Sequence, residues 1–186
     1  MLGTAPVGTN ESELCGMGYS VRHVMHTDID TFWRLHFDET VARALIGKFG
    51  DAGDFRIIED RFDEAGHRHR RVEVWSKVEM PSLVKKFVGD GSYTEIGRWD
   101  CNLKRYSAEC IPKVNGEKFR TRYEVITHPH GGGYGSGQQC EREIVTENVV
   151  KMLGVRGMIE KMLEKAQRES HDQSASFINE WIRTRL

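Results

Sequence analysis

What the sequence lacks narrows its class first. No apolar run approaches the roughly 18 residues that a membrane-spanning helix needs. One of its longest, Val41–Ile46, is interrupted by Arg43. The chain has almost no net charge: 27 Lys and Arg against 28 Asp and Glu give −1. No global field therefore draws it to nucleic acid or to an anionic membrane. Cysteines are few (Cys15, Cys101, Cys110 and Cys140), and none forms a Cys-x-x-Cys pair. That excludes zinc-ribbon and thioredoxin-type motifs and reads as reduced thiols in a cytoplasmic protein. The start of the chain has neither the basic region nor the apolar stretch of a secretory signal, and Leu2 excludes N-myristoylation. Residues 1–18 are expected to form a disordered leader and residues 19–186 a single domain. Catalytic signatures are also missing: there is no Gly-x-Ser-x-Gly elbow, no Cys–His pair at a family spacing and no phosphate-binding loop.

What is present is the composition of an ordinary folded domain, 38% hydrophobic with 19 glycines across 186 residues. Tyr19–His26 alternates as a first strand. Thr27 or Asp28 can cap a helix carrying Ile29, Phe32, Trp33 and His36 on one stripe. Asp38 can cap a second short helix that Gly47 is expected to end. From Asp54 onward the period changes to that of strands: Phe55–Phe62, His67–Glu79, Ser92–Trp99, Leu103–Ile111, Phe119–Thr127 and Gln138–Asn148. In the second of these, Val72 and Val74 share one face while Arg71, Glu73 and Trp75 share the other, as in an antiparallel sheet with one wet face. Asn115-Gly116 reads as a type I′ hairpin turn. His128–Gly137 reads as a mobile loop. From Val155 onward, Met158, Ile159, Met162, Leu163, Ala166, Phe177, Ile178, Trp181 and Ile182 follow helical spacing. That predicts a terminal helix of about 28–32 residues, roughly 45 Å long, with polar Ser170–Ser176 as a candidate interruption.

The order predicts an α+β fold: a curved antiparallel β-sheet of about 6–7 strands, two short helices after strand 1 and a long C-terminal helix across the sheet. A straight rod over a bent sheet leaves a space between them, and such spaces are mostly apolar. This element order resembles the START-like superfamily, also called SRPBCC or helix-grip proteins. Glu79–Asp100 (EMPSLVKKFVGDGSYTEIGRWD) and the first helix, DIDTFWRLHFDE, most resemble an uncharacterised START-like family found mainly in actinobacteria. The usual Pro-x-x-Gly-Gly lead into the last helix is replaced here by MLGVRGMIEKML. The resemblance implies a pocket for a lipid, sterol or other hydrophobic small molecule, with no cofactor. Its walls are expected at Phe37, Val72, Val74, Tyr93, Trp99, Tyr123, Met158, Met162 and Ala166. The superfamily also holds polyketide cyclases, so a cyclase or hydratase stays open as an alternative. Its acid or base would be an inward Glu95, Glu109, Glu124 or His23. A third reading is an interaction module docking through Phe177, Ile178, Trp181 and Ile182.

Three further motifs have plain readings beside their chemical ones. His67-x-His69-x-x-x-Glu73 has the spacing of a cupin metal motif, but Arg68, Arg70 and Arg71 interleave it and would repel a cation; a solvated strand start without metal is expected. The basic clusters at 67–71 and 118–122 would form an anion patch only if their strands were neighbours. Ser82–Val88 could touch a membrane surface transiently, without transmembrane anchoring.

Overall fold

The computed structural model describes residues 17–49, 52–76, 85, 89–131, 139–151, 154 and 156–185. The expected leader lies almost wholly outside them, as does Ser82–Val88 apart from Lys85.

Seven strands form one antiparallel sheet. They are β1 (Met17–Met25), β2 (Ala52–Phe62), β3 (Arg68–Ser76), β4 (Tyr93–Asp100), β5 (Arg105–Pro112), β6 (Phe119–His130) and β7 (Gln139–Val150). Their spatial order is β1-β7-β6-β5-β4-β3-β2. The first two strands are therefore opposite edges. The helices between them, α1 (Ile29–His36) and α2 (Glu39–Phe49), carry the chain from one edge to the other. Asp28 caps α1, its carboxylate accepting from the Thr31 amide at 2.9 Å. Asp38 caps α2 by accepting from the Thr40 amide at 2.7 Å. Each cap satisfies a backbone donor that the helix itself cannot.

Two turn expectations are corrected. Gly47 lies inside α2, which runs on to Phe49. At the β5–β6 turn Asn115 takes the left-handed conformation (φ 56°) but Gly116 does not. The connection is a longer loop, closed by the Asn115 carbonyl accepting from the amides of Lys118 (2.8 Å) and Phe119 (3.0 Å). His128–His130, expected in a loop, extends β6.

The terminal helix α3 (Arg156–Arg185) is continuous over 30 residues. Its polar middle stays helical because the sheet offers it partners. The His171 carbonyl accepts from Arg142 at 2.9 Å, Asp172 meets His23 at 2.8 Å, and Gln167 accepts from Asn148 at 2.9 Å. α3 crosses β1 and β7 and meets α2, where Phe177 packs on Phe49. Phe177 and Ile178 are buried, and Trp181 and Ile182 pack against the same core. The stripe read as a docking surface is thus occupied by the protein's own sheet and helices. Asn179 ties down the end of β1, accepting from the His26 amide and donating to the Val24 carbonyl, both at 2.9 Å. No helix among the described residues is long and apolar enough to cross a membrane.

Candidate functional site on the inner face of the sheet

Period-two alternation sends one parity of each strand toward the helices. From β3 to β6 the register sets Val72, Glu95, Cys110 and Thr121 in one inner row. Arg70, Gly97, Ala108 and Tyr123 form the next row, and Arg68, Trp99, Tyr106 and Val125 the one beyond. The end of α1 closes over this patch: Phe37 lies 5.9 Å from Trp99 and 5.5 Å from Tyr106, ring centre to ring centre.

Glu95 is the centre of the arrangement. Tyr106 donates to its Oε1 at 2.7 Å and Tyr123 to its Oε2 at 2.8 Å. Tyr106 reaches Glu95 by lying across β4 at Gly97. A Cβ on that residue would stand 2.0 Å from the Tyr106 hydroxyl oxygen, so only glycine leaves room for the ring. Burial, more than any neighbour, raises the pKa values of Tyr93, Tyr106 and Tyr123 and of the Cys110 thiol. All four stay protonated at neutral pH, so the phenols serve as donors and Cys110 is no thiolate nucleophile.

Tyr93, Cys110 and Tyr123 are deeply enclosed by protein, yet each keeps part of its surface accessible. These three residues therefore stand at the margin of the fully buried core, with Tyr123 packed against it. His36, at the end of α1, is also deep. Burial and then Arg70, Arg142 and Arg68 push its pKa down to about 3, so the imidazole is neutral. Nearer α3, Arg142 is buried; desolvation lowers its pKa to about 10, which leaves it charged at neutral pH. It donates to the Nδ1 of His23 at 3.1 Å, which leaves the other ring nitrogen to donate to Asp172 at 2.8 Å.

The expected wall residues divide by place. Phe37, Val72, Val74, Tyr93, Trp99 and Tyr123 come together on the inner face or over it. Met162 is half-buried on α3, while Met158 and Ala166 are exposed there. Of the four acid–base candidates, Glu95 and His23 point inward. Glu109 faces out and pairs with Arg122 at 3.2 Å, and Glu124 faces out and accepts from Ser107 at 3.1 Å. Tyr106, Gly97, His36 and Arg70 were not anticipated. A glycine within a strand signals close approach by a neighbour, and strand parity puts Arg70 with Val72 and Val74; both signals were available.

The basic clusters do not meet, because β4 and β5 separate β3 from β6. His67 turns to Asp100 (3.7 Å), His69 to Asp63 (2.9 Å), and Glu73 is held by Arg56 (2.9 Å). Among the described residues no three His, Cys, Asp or Glu side chains are grouped to hold a metal ion. A solvent-open depression of about 500 Å³ lies on the outer face, bordered by Ile96, Glu109, Arg122 and Val145. Tyr123 and Ala108 also border it, whereas Glu95, Tyr93 and Tyr106 do not.

An antiparallel sheet gripped by one long helix, with chemistry on the gripped face, defines the helix-grip class. Solved structures agree. Norcoclaurine synthase from Thalictrum flavum, in complex with dopamine and hydroxybenzaldehyde, superposes with a TM-score of 0.66 at 14% identity, covering 100% of this chain and 98% of its own. The ZhuI aromatase/cyclase from a Streptomyces species gives 0.59 at 11% identity, covering 90% and 96%. TTHA0849 from Thermus thermophilus gives 0.58 at 12%, covering 88% and 95%. At such identities the likeness is one of fold. No curated protein sequence matches the chain significantly. Residues 20–182 match the family described as Protein of unknown function (DUF2505), and the chain belongs to that family.

Proposed function

We propose that this protein binds a hydrophobic small molecule in the inner-face recess, against Phe37, Val72, Val74, Tyr93, Trp99 and Tyr123. The observation that carries the reading is the inner-face patch itself: Tyr93, Trp99 and Tyr123, none of them fully buried, stand around Glu95, whose two oxygens are already oriented by Tyr106 and Tyr123. Aromatic walls supply most of the binding through apolar area removed from water, and the few polar groups fix orientation. The three described cysteines are free, which suits a reducing, cytoplasmic setting. Native mass spectrometry of the protein purified from cells, followed by a broad panel of lipids and aromatic compounds, tests the proposal. A bound hydrophobic molecule, lost in a Tyr123→Ala variant that still folds, is the expected result. A protein that carries none and takes none up refutes it.

A second reading has its own observation. Glu95 is held by two phenols among aromatic side chains, a setting in which a carboxyl group can move a proton to or from a bound substrate. In this reading Glu95 is the acid or base, and Tyr106 and Tyr123 orient it. A Glu95→Gln variant then keeps ligand affinity and loses turnover; unchanged turnover removes the enzymatic reading and leaves binding intact.

A further inference from the structure

One positive charge on the inner face, that of Arg70, has only a long ion pair, to Asp60 directly across β2, and shares that partner with Arg68. Arg70 stands on β3 beside Gly97 of β4, where no side chain intervenes. Its side chain is only 10% exposed. Its Nε is buried without any hydrogen-bond partner. The nearest carboxylate oxygen is that of Asp60, at 3.9 Å. Asp60 is already committed, because Arg68 holds both of its oxygens in a fork, each at 2.6 Å. Glu95 is likewise taken, by the two tyrosines. The guanidinium of Arg70 lies 5.9 Å from the centre of the Phe37 ring, and its charge acts on both His36 and Tyr106. It therefore faces the aromatic end of the recess.

A guanidinium this buried is normally matched by an anion, because desolvation is costly when nothing compensates it. Its planar fork of donors suits a carboxylate. Resting on the recess reading above, we propose that the ligand is an amphipathic carboxylic acid. Its carboxylate pairs with Arg70 and its apolar body lies against Trp99, Tyr123 and Tyr93. Glu95 stands in the neighbouring row and disfavours a second anionic group, so the class is a monoacid rather than a diacid or a phosphate ester.

Matched acid and amide pairs test this: 2-naphthylacetic acid with 2-naphthylacetamide, and dodecanoic acid with dodecanamide. Affinities are measured at neutral pH on the wild type, Arg70→Met and Arg70→Lys. At least one acid should bind the wild type about tenfold or more tighter than its amide, the size of one charge-assisted pair. Arg70→Met should lower acid affinity to that of the amide and leave amide affinity unchanged, while Arg70→Lys should keep part of the preference. If Arg70→Met does not fold, the wild-type preference and its reduction in Arg70→Lys decide. Acid and amide binding equally to the wild type overturn this inference and leave the recess standing. Failure of all four probes to bind the wild type overturns the inference, while the recess itself stands or falls on the native mass spectrometry and the broad panel above.

Discussion

Replacing Gly97 with alanine tests the geometry of the site most directly, because local propensity and packing predict opposite signs. In a strand, alanine is favoured over glycine by about 0.5–1 kcal/mol, since glycine loses more backbone freedom on folding. Here the added Cβ would meet the Tyr106 Oη at 2.0 Å, its Cζ at 2.3 Å and its Cε2 at 2.7 Å. Tyr106 is 1% exposed and cannot swing away into solvent. Forcing one carbon into a filled site costs about 1–3 kcal/mol, and pulling the hydroxyl from Glu95 costs a further 1.5–3 kcal/mol or so. The net loss is about 1.5–5.5 kcal/mol, which for a chain of this size lowers Tm by roughly 3–22 °C. Thermal and urea unfolding of Gly97→Ala measure it. The mechanism is isolated by repeating the substitution in a Tyr106→Leu background, where the obstructing ring is gone and the penalty should fall below about 1 kcal/mol. A Gly97→Ala protein as stable as the wild type, or a penalty equal in both backgrounds, refutes the reasoning.

Stability should also fall on mild acidification. His36 and His171 have folded pKa values of about 3 and about 4, below the 6.5 of the unfolded chain, with burial the largest cause. Between those values and 6.5 the unfolded state binds protons that the folded state does not. Their contribution is therefore intact above pH 6.5 and eroded below it, by up to about 1.4 kcal/mol per pH unit for each group. Unfolding free energy followed from pH 7.5 to 4.5 should show this slope, and His36→Leu should remove one proton's worth; an unchanged slope contradicts the assignment. Asn179→Ala breaks both bonds that hold the end of β1 to α3, and should cost about 1–3 kcal/mol. Hydrogen exchange should show the increase in opening at Val24–His26; protection as in the wild type would place the clamp elsewhere.

The sequence made the architecture legible because hydrophobic period is a local property: strands, paired short helices and the terminal rod all follow from spacing. It was also enough to place Val72, Val74, Tyr93 and Trp99 near one another, since residues of one parity share a face. The site's centre was harder to see. Glu95 was only one of four acidic or imidazole candidates, and which of them faces inward depends on strand register. The partnership of Glu95 with Tyr106 depends on a glycine in the adjoining row, a relation between two strands that no single segment encodes. Arg70 read as part of a solvated basic run, because the run's composition conceals its alternation. Arg68 and Arg70 turn inward while His69 and Arg71 turn out. The continuity of α3 through Ser170–Ser176 was obscured for a similar reason: those polar residues answer polar groups on β1 and β7, more than a hundred residues away for His23.

The pairing of the first strand with the last has a consequence for biogenesis. β1 finds its partners only in β7, with Met25 opposite Cys140 and Met17 opposite Asn148. At a synthesis rate of about 5–20 residues per second, β1 waits roughly 6–26 s on the ribosome before those partners exist. During that interval Tyr19, Val21 and Met25 lack the strand that they pair with in the folded protein. The sheet is closed at this edge only once residues 140–148 have been made.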